Sequence, residues 1–362
     1  NKARKAMQDY TSGLRRGSLT EKGFYDIEEH FYQVVDEVKR SIPDIKNVDV
    51  VIGIPFYNEE ASLFGVIEAA RQSFPEEKRK KLIVCVGDPA GEKAIEVVRQ
   101  RFADDVVSFL MPEGVNGRGF SIRAILELAR TFDADVVLLE ADLGNRDGHG
   151  IKPRWIDKLA NPIFSKYDIS IASFRRHPFE DTVGTLVVSP LLSSLYGTRL
   201  SDPLSGVYGI SHDIVQEICS EFDQSSIKIG GYGFNPWLIT TVLRLEKQMS
   251  EVNLGAKLSP MNFGKKNLVM KEMLRAFFDC MKRDEDLLLH GDVIVKGLDT
   301  FGAEDRDLPL DVLCDPMEFA RLFKEGCDHY DKLLGEVLGT DMAGEIKDIA
   351  DLMPDIMDFP PE

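Results

Sequence analysis

Cysteine is scarce in this chain. Five cysteines stand among 362 residues, at positions 85, 219, 280, 314 and 327, and none forms a Cys-x-x-Cys pair. That leaves no cysteine zinc site and no disulfide framework, and it fits a reducing compartment, so a cytoplasmic protein is expected. Cys85 lies inside an apolar run, where a buried thiol is a packing residue. Long hydrophobic runs are missing too. No stretch approaches the roughly 20 apolar residues that cross a bilayer, and the first residues lack the apolar core of a secretion signal. Basic charge is in deficit, with 44 Lys and Arg against 61 Asp and Glu. A net charge of −17 argues against a nucleic-acid partner. There is no Gly-Lys-Ser/Thr phosphate loop, no internal repeat, and no spacing that points to a Ser-His-Asp or Cys-His nucleophile.

What is present is ordinary globular composition, 43% hydrophobic, enough for one large or two ordinary cores. The charge is uneven. Residues 284–362 carry 22 acids and 6 bases, while the other 283 residues are nearly balanced. In that tail Phe319, Leu322, Phe323, Leu333, Leu334 and Val337 recur at helical intervals. The tail therefore reads as amphipathic helices that pack on the body or on a second copy, so a homodimer is one expectation. At the other end Phe24, Ile27, Phe31 and Val34 or Val35 mark a helical arm over residues 1–47.

Between these lies a domain expected over 48–283. Short runs rich in Val and Ile at 49–54, 82–86, 106–110 and 135–140 alternate with helical segments near 59–74, 91–102 and 120–131. That alternation gives a parallel sheet with right-handed crossovers. A helix near 154–165, a strand at 168–174 and an apolar stretch at 183–196 follow. Next come a glycine-containing strand at 204–210, a helix near 234–248 and a strand at 250–254. From about 265 the pattern is helical.

Three motifs carry chemistry. The first strand exits into Pro55-Phe56-Tyr57-Asn58-Glu59-Glu60. Asn58 and Glu59 suit a helix start, and Glu59 also suits hydrogen bonds from a ribose. Gly114-Val115-Asn116-Gly117-Arg118-Gly119 then precedes a helix. Its glycines let backbone approach a ligand, and its arginine suits a diphosphate. The strand Val136-Val137-Leu138-Leu139 ends on Glu140-Ala141-Asp142. Ligands of open α/β sheets sit beyond the carboxyl ends of the strands, so these two acids are candidate ligands for a hard cation on a phosphate.

The order of these motifs resembles the GT-A fold, the Rossmann-like fold of nucleotide-diphospho-sugar transferases. Later segments are similar in order to those of glucosyl-3-phosphoglycerate synthases and, more distantly, mannosylglycerate synthases. They are Ser173-Phe174-Arg175-Arg176, Ser189-Pro190-Leu191-Leu192, Asp202-Pro203-Leu204-Ser205-Gly206-Val207-Tyr208, Gly231-Tyr232-Gly233 and Val252-Asn253-Leu254-Gly255. The resemblance covers roughly 48–283 and implies a glycosyltransferase that moves a sugar from a UDP- or GDP-sugar to a small hydroxylated acceptor, with retention. It implies that Pro55, Phe56, Tyr57 and Glu59 hold the nucleoside and that Gly87 and Asp88 lie near the base. Arg118 would meet the diphosphate, and Asp142 with Glu140 would bind Mg2+ or Mn2+.

The departures are specific. Glu140 stands where the family has Asp, and Ser259 where it has a metal-binding histidine. Thr182 and Gly184 stand where its acceptor-clamping Arg and Thr lie, and Asn235 where a glutamate follows Gly-Tyr-Gly. Loss of that clamp disfavours 3-phosphoglycerate as acceptor. Arg175, Arg176 and His177 are candidate replacements, or pair with Glu180 and Asp181. His149 is either a substitute metal ligand or a solvated loop residue. A nucleotidyltransferase and a catalytically silent nucleotide-sugar binder stay open beside the transferase reading.

Overall fold

Seven buried residues, Val50–Phe56, form β1 at the middle of the main sheet. The structure, a computed structural model, describes residues 21–42, 47–75, 79–103, 105–144, 150–176, 181–227, 229–257, 263–289, 293–302 and 316–357. β1 pairs in parallel with β2 (Lys81–Gly87), which pairs in parallel with β3 (Val106–Leu110). On its other side β1 pairs in parallel with β4 (Asp135–Leu138). Beyond β4 the grain of the sheet changes. β5 (Ile169–Arg175) is separated from β4 by β7 (Tyr208–Ile210), which runs antiparallel to both. β8 (Met249–Ala256) and β10 (Asp299–Phe301) complete the sheet, each parallel to its inner neighbour. The order across the sheet is β10-β8-β5-β7-β4-β1-β2-β3. A small second sheet joins β6 (Thr198–Arg199) to β9 (Lys296–Gly297).

Both faces of the main sheet are covered, which is why its strands read as apolar runs rather than as alternating patterns. Val51, Val84, Val136 and Leu138 face the helices Arg118–Thr131, His212–Gln224 and Phe234–Arg244. Ile52, Ile54, Ile83 and Val137 face the helices Glu60–Gln72, Glu92–Phe102 and Pro153–Ile163.

The arm helix Glu21–Ser41 buries Phe31 and Val35 in the first of these layers. It is fixed by Arg123, which is 1% exposed. Arg123 donates to Glu28 at 2.7 Å, Asp223 at 2.6 Å and the Tyr32 hydroxyl at 2.9 Å. Its guanidinium also lies over the rings of Phe31 and Phe222. Burial without partners would disfavour the charged guanidinium, but these partners hold its pKa above the ordinary arginine value.

Several elements depart from the sequence reading. The strand expected over 204–210 is shortened to its last three residues, because Asp202 to Gly206 make a turn with Gly206 at φ +77°. The apolar stretch at 183–196 is a π-helical turn, Gly184–Val188, running into the helix Ser189–Tyr196. The helix from 234 ends at Arg244. The helical expectation after 265 misses β10, whose three residues are all exposed and so show no burial pattern.

The chain divides into two units, Asn1–Pro309 and Leu310–Glu362. The second contains the helices Pro316–His329, Asp331–Leu338 and Thr340–Met357. Ala320, Cys327, Ala343 and Ala350 are buried in it, and Lys324 pairs with Asp351 at 2.7 Å. Leu322, Phe323, Leu333 and Val337 are exposed. Among the described residues no helix is long and apolar enough to cross a membrane.

Candidate active site

The three chemical motifs follow β1, β3 and β4 at one rim of the sheet, where β1, β2, β3, β4, β5 and β8 end and β7 begins. Two linked clusters form there.

The first is built on the exits of β1 and β2. The Glu59 carboxylate folds back on its own turn, where Oε2 accepts the amides of Tyr57 at 2.6 Å and Asn58 at 3.0 Å. Glu59, not Asn58, is the residue before the helix Glu60–Gln72, and its side chain makes no capping bond to that helix. Phe56 is 4% exposed and packs over Gly87, so its ring is part of the floor. Burial raises the Tyr57 phenol above its ordinary pKa, with help from the charges of Asp88 and Glu59. Asp88 Oδ2 accepts the Gly117 amide at 3.0 Å, which ties this cluster to the arginine loop.

The glycines of that loop serve packing inside the protein. Gly117 has φ +123°, and a Cβ on it or on Gly119 would strike the backbone of Gly230 or Ile229. The Phe120 amide donates to Gly230 O at 3.1 Å. The loop is thus pinned to the 229–231 segment, and Arg118 is aimed inward.

The second cluster surrounds the acidic motif. Arg118 donates to Asn235 Oδ1 at 2.8 Å and to Gly206 O at 3.0 Å, and lies 3.2 Å from Glu140 Oε1. On the other side Lys257 donates its ammonium to Glu140 Oε2 and lies 3.7 Å from Asp142 Oδ1. Lys257 follows β8 and is almost wholly buried, with its side chain 4% exposed. A bulge where β8 pairs with Ser173 and Phe174 shifts the register just before it, a device that re-aims side chains at sheet rims.

Burial alone would raise the Glu140 carboxyl, but Lys257 and then Arg118 outweigh it and hold Glu140 below the ordinary carboxylate range. Asp142 goes the other way, raised by burial and by the Glu140 charge although Lys257 opposes the shift. Burial disfavours the charged Lys257, yet the two carboxylates more than compensate and its pKa is raised. Asp142 Oδ1 is buried without a hydrogen-bond partner.

The residues that the resemblance places on the acceptor side form a neighbouring set. Arg176 grips Asp202 with two donors, at 2.9 and 3.3 Å. Asp202 is 3% exposed and also accepts the Phe174 amide at 3.3 Å. Asp181 has φ +50° and one buried carboxylate oxygen without a partner. Burial, then the Asp202 charge, push its pKa up to about 7. His149, His177, Glu180 and Ser259 lie outside the described residues.

The structure therefore brings Arg118, Glu140 and Asp142 together, with Asp88, Tyr57 and Glu59 joined to them through Gly117. Lys257 was not among the sequence candidates. It contacts Glu140 across 117 positions, and the only local signal was a lysine directly after a strand at the same rim.

A mixed sheet of this order, with an acidic pair at the end of its fourth strand, is the GT-A glycosyltransferase fold. No family model and no curated protein sequence matches the chain. Solved structures do. The chain is similar to glucosyl-3-phosphoglycerate synthase from Mycobacterium tuberculosis in complex with Mn2+, uridine diphosphate and phosphoglyceric acid. That likeness has 19% identity and a TM-score of 0.50, and covers 68% of this chain and 81% of that one. The complex of the same enzyme with Mn2+, UDP-glucose and phosphoglyceric acid matches at 19% identity and TM-score 0.50, over 68% and 82%. Its complex with Mg2+ and uridine diphosphate gives the same identity and score over 68% and 83%.

The residues present fit a divalent ion in one way. Mg2+ on a diphosphate takes one or two carboxylates from the protein and its other oxygens from phosphate and water. Asp142 Oδ1, which accepts no hydrogen bond although the Lys257 ammonium lies 3.7 Å away, offers one such ligand. An ion held by protein alone does not fit, because among the described residues no group of three His, Cys, Asp or Glu can hold one.

Proposed function

We propose that this protein is a glycosyltransferase that takes a hexose from a UDP- or GDP-sugar and passes it, with retention, to a small hydroxylated acceptor in the cytoplasm. The observation that supports this best is the partly buried cluster of Arg118, Glu140, Asp142 and Lys257 at the carboxyl rim of a GT-A sheet. The similar solved structures are complexes with UDP or UDP-glucose and Mn2+ or Mg2+, which favours the same donor class here.

Each residue has a role in this reading. Tyr57, Glu59 and Asp88 line the nucleoside side, with Pro55, Phe56 and Gly87 as the floor beneath. Arg118 is held in position by Asn235 and Gly206 and stabilises negative charge on the leaving diphosphate. Mg2+ or Mn2+ at Asp142 would supply Lewis-acid stabilisation of that same charge.

The acceptor reading rests on charge. Two of the similar solved structures contain phosphoglyceric acid. Here Arg176 is committed to Asp202, and Asp181, with one carboxylate oxygen that lacks a hydrogen-bond partner, precedes the Thr182 and Gly184 positions. A site that hydrogen-bonds a particular group discriminates strongly for it, and Thr182 and Gly184 supply no cation for a phosphate and a carboxylate. A neutral polyol or glycerate suits it better.

The test is product detection with UDP-glucose and GDP-glucose in Mn2+, offering glycerate, neutral polyols and 3-phosphoglycerate in parallel. Transfer to a neutral or singly charged acceptor is the expected result. Absence of any glycosylated product, with the nucleotide still bound, would reduce the protein to a nucleotide-sugar binder. Preferred transfer to 3-phosphoglycerate would overturn the acceptor reading.

A further inference from the structure

Two carboxylates two residues apart at the end of a buried strand repel each other and require a cation. In this protein a cation is already covalently present. The Lys257 ammonium donates to Glu140 Oε2 and lies 3.7 Å from Asp142 Oδ1, and it is shielded from water, as only 4% of its side chain is exposed. Arg118 closes the opposite side of Glu140 at 3.2 Å. Glu140 and Asp142 bring two negative charges, and Lys257 and Arg118 bring two positive charges, so the motif is balanced before any ion arrives.

A divalent ion approaching the free protein meets three obstacles. One carboxylate is occupied from both sides, an ammonium stands beside the other, and no third protein ligand is at hand among the described residues. Like charges a few ångströms apart in a partly buried site repel strongly.

We propose that Lys257 is the resident cation of the acidic motif, competing with divalent ions for Glu140 and Asp142, so that such an ion binds weakly to the free protein and enters together with a diphosphate. The diphosphate changes the balance because it brings negative charge and several oxygen ligands of its own. This inference deepens the donor-site reading above and rests on it for the diphosphate alone. The competition for the carboxylates concerns the free protein.

The experiment is a Mn2+ titration of the full chain, followed calorimetrically and by the loss of the free-ion paramagnetic resonance signal. It uses wild type, Lys257→Met and Lys257→Arg, each with and without UDP. Wild type is expected to bind Mn2+ at least about tenfold more tightly with UDP than without it, since one carboxylate alone makes a weak site. Lys257→Met should bind Mn2+ without UDP at least about tenfold more tightly than wild type, because Glu140 is released and a neighbouring charge removed. Lys257→Arg should behave as wild type.

Equal Mn2+ affinity of folded Lys257→Met and wild type in the absence of UDP would overturn the proposal. If Lys257→Met does not fold, wild type decides the matter: Mn2+ affinity as high without UDP as with it would also overturn it. A complete failure of UDP to bind would instead refute the nucleotide-sugar reading, and the comparison of the two proteins in Mn2+ alone would still decide the role of Lys257.

Discussion

Asp181 shows how one side chain in this site can set a property of the whole protein. Its carboxyl is buried, keeps one oxygen without a hydrogen-bond partner, and lies near the Asp202 charge. The native state therefore holds a proton here up to about pH 7, whereas an exposed aspartate in the unfolded chain loses it near 3.8. Across that window the native state binds more protons than the unfolded state, so this group's contribution to stability falls as pH rises. Asp181→Asn keeps the shape and removes the titration. The variant is expected to lose part of the fall in melting temperature between about pH 5 and pH 8 that wild type shows, with the gain at the alkaline end. Parallel melting curves for the two proteins at all pH values would refute this. Glu140 and Asp142 differ in the same physical way at shorter range, since Lys257 donates to one and merely lies near the other. None of this was legible in the sequence. Burial and the pairing of distant charges decide it, and a string of residues shows neither.

At the scale of elements, much was legible. The runs that became β1, β2, β3 and β4 are apolar because both faces of the sheet are covered, so they announce themselves without any partner being known. The acidic motif and the arginine loop were found because ligands of such sheets gather beyond the carboxyl ends of the strands. The short antiparallel β7 was overestimated, because the apolar residues before it belong to a turn. That turn carries a prediction. Gly206 sits at φ +77°, and a Cβ there would overlap the Glu140 carboxylate. Gly206→Ala should cost only about 1–2 kcal/mol in backbone strain. It should nonetheless weaken UDP binding by more than about tenfold, because Glu140 and the Arg118 resting on it must move. Calorimetric titration with UDP alongside thermal melting separates the two effects. A variant that binds UDP normally would show that Glu140 is not held by this turn.

On the scale of the whole molecule, charge and chemistry are apportioned differently. All the residues assigned here to the donor site belong to the unit Asn1–Pro309, while the unit Leu310–Glu362 carries 14 acids against 4 bases. A chain ending at Pro309 should accordingly keep UDP affinity within about threefold of the full chain, less than half a decade in binding constant. Loss of UDP binding from a truncated protein that still melts cooperatively would assign the second unit a part in the site. The acidic bias of that region was plain from counting residues. The amphipathic pattern correctly gave helices there, but Leu322, Phe323, Leu333 and Val337 are exposed, so the pattern did not say where each side chain would lie.

The reversed direction of β7 has a consequence for how such a protein can diversify. β5 leaves the sheet at the same rim at which β7 returns to it, so residues 176–207 form an excursion that starts and finishes on one side. Its two stems are clamped by strand pairing, and loop closure grows only slowly more costly with length. The return stem belongs to the donor side, because Gly206 accepts from Arg118 and lies against the Glu140 carboxylate, so a change of length in this excursion reaches the acidic motif unless the turn at Gly206 keeps its place.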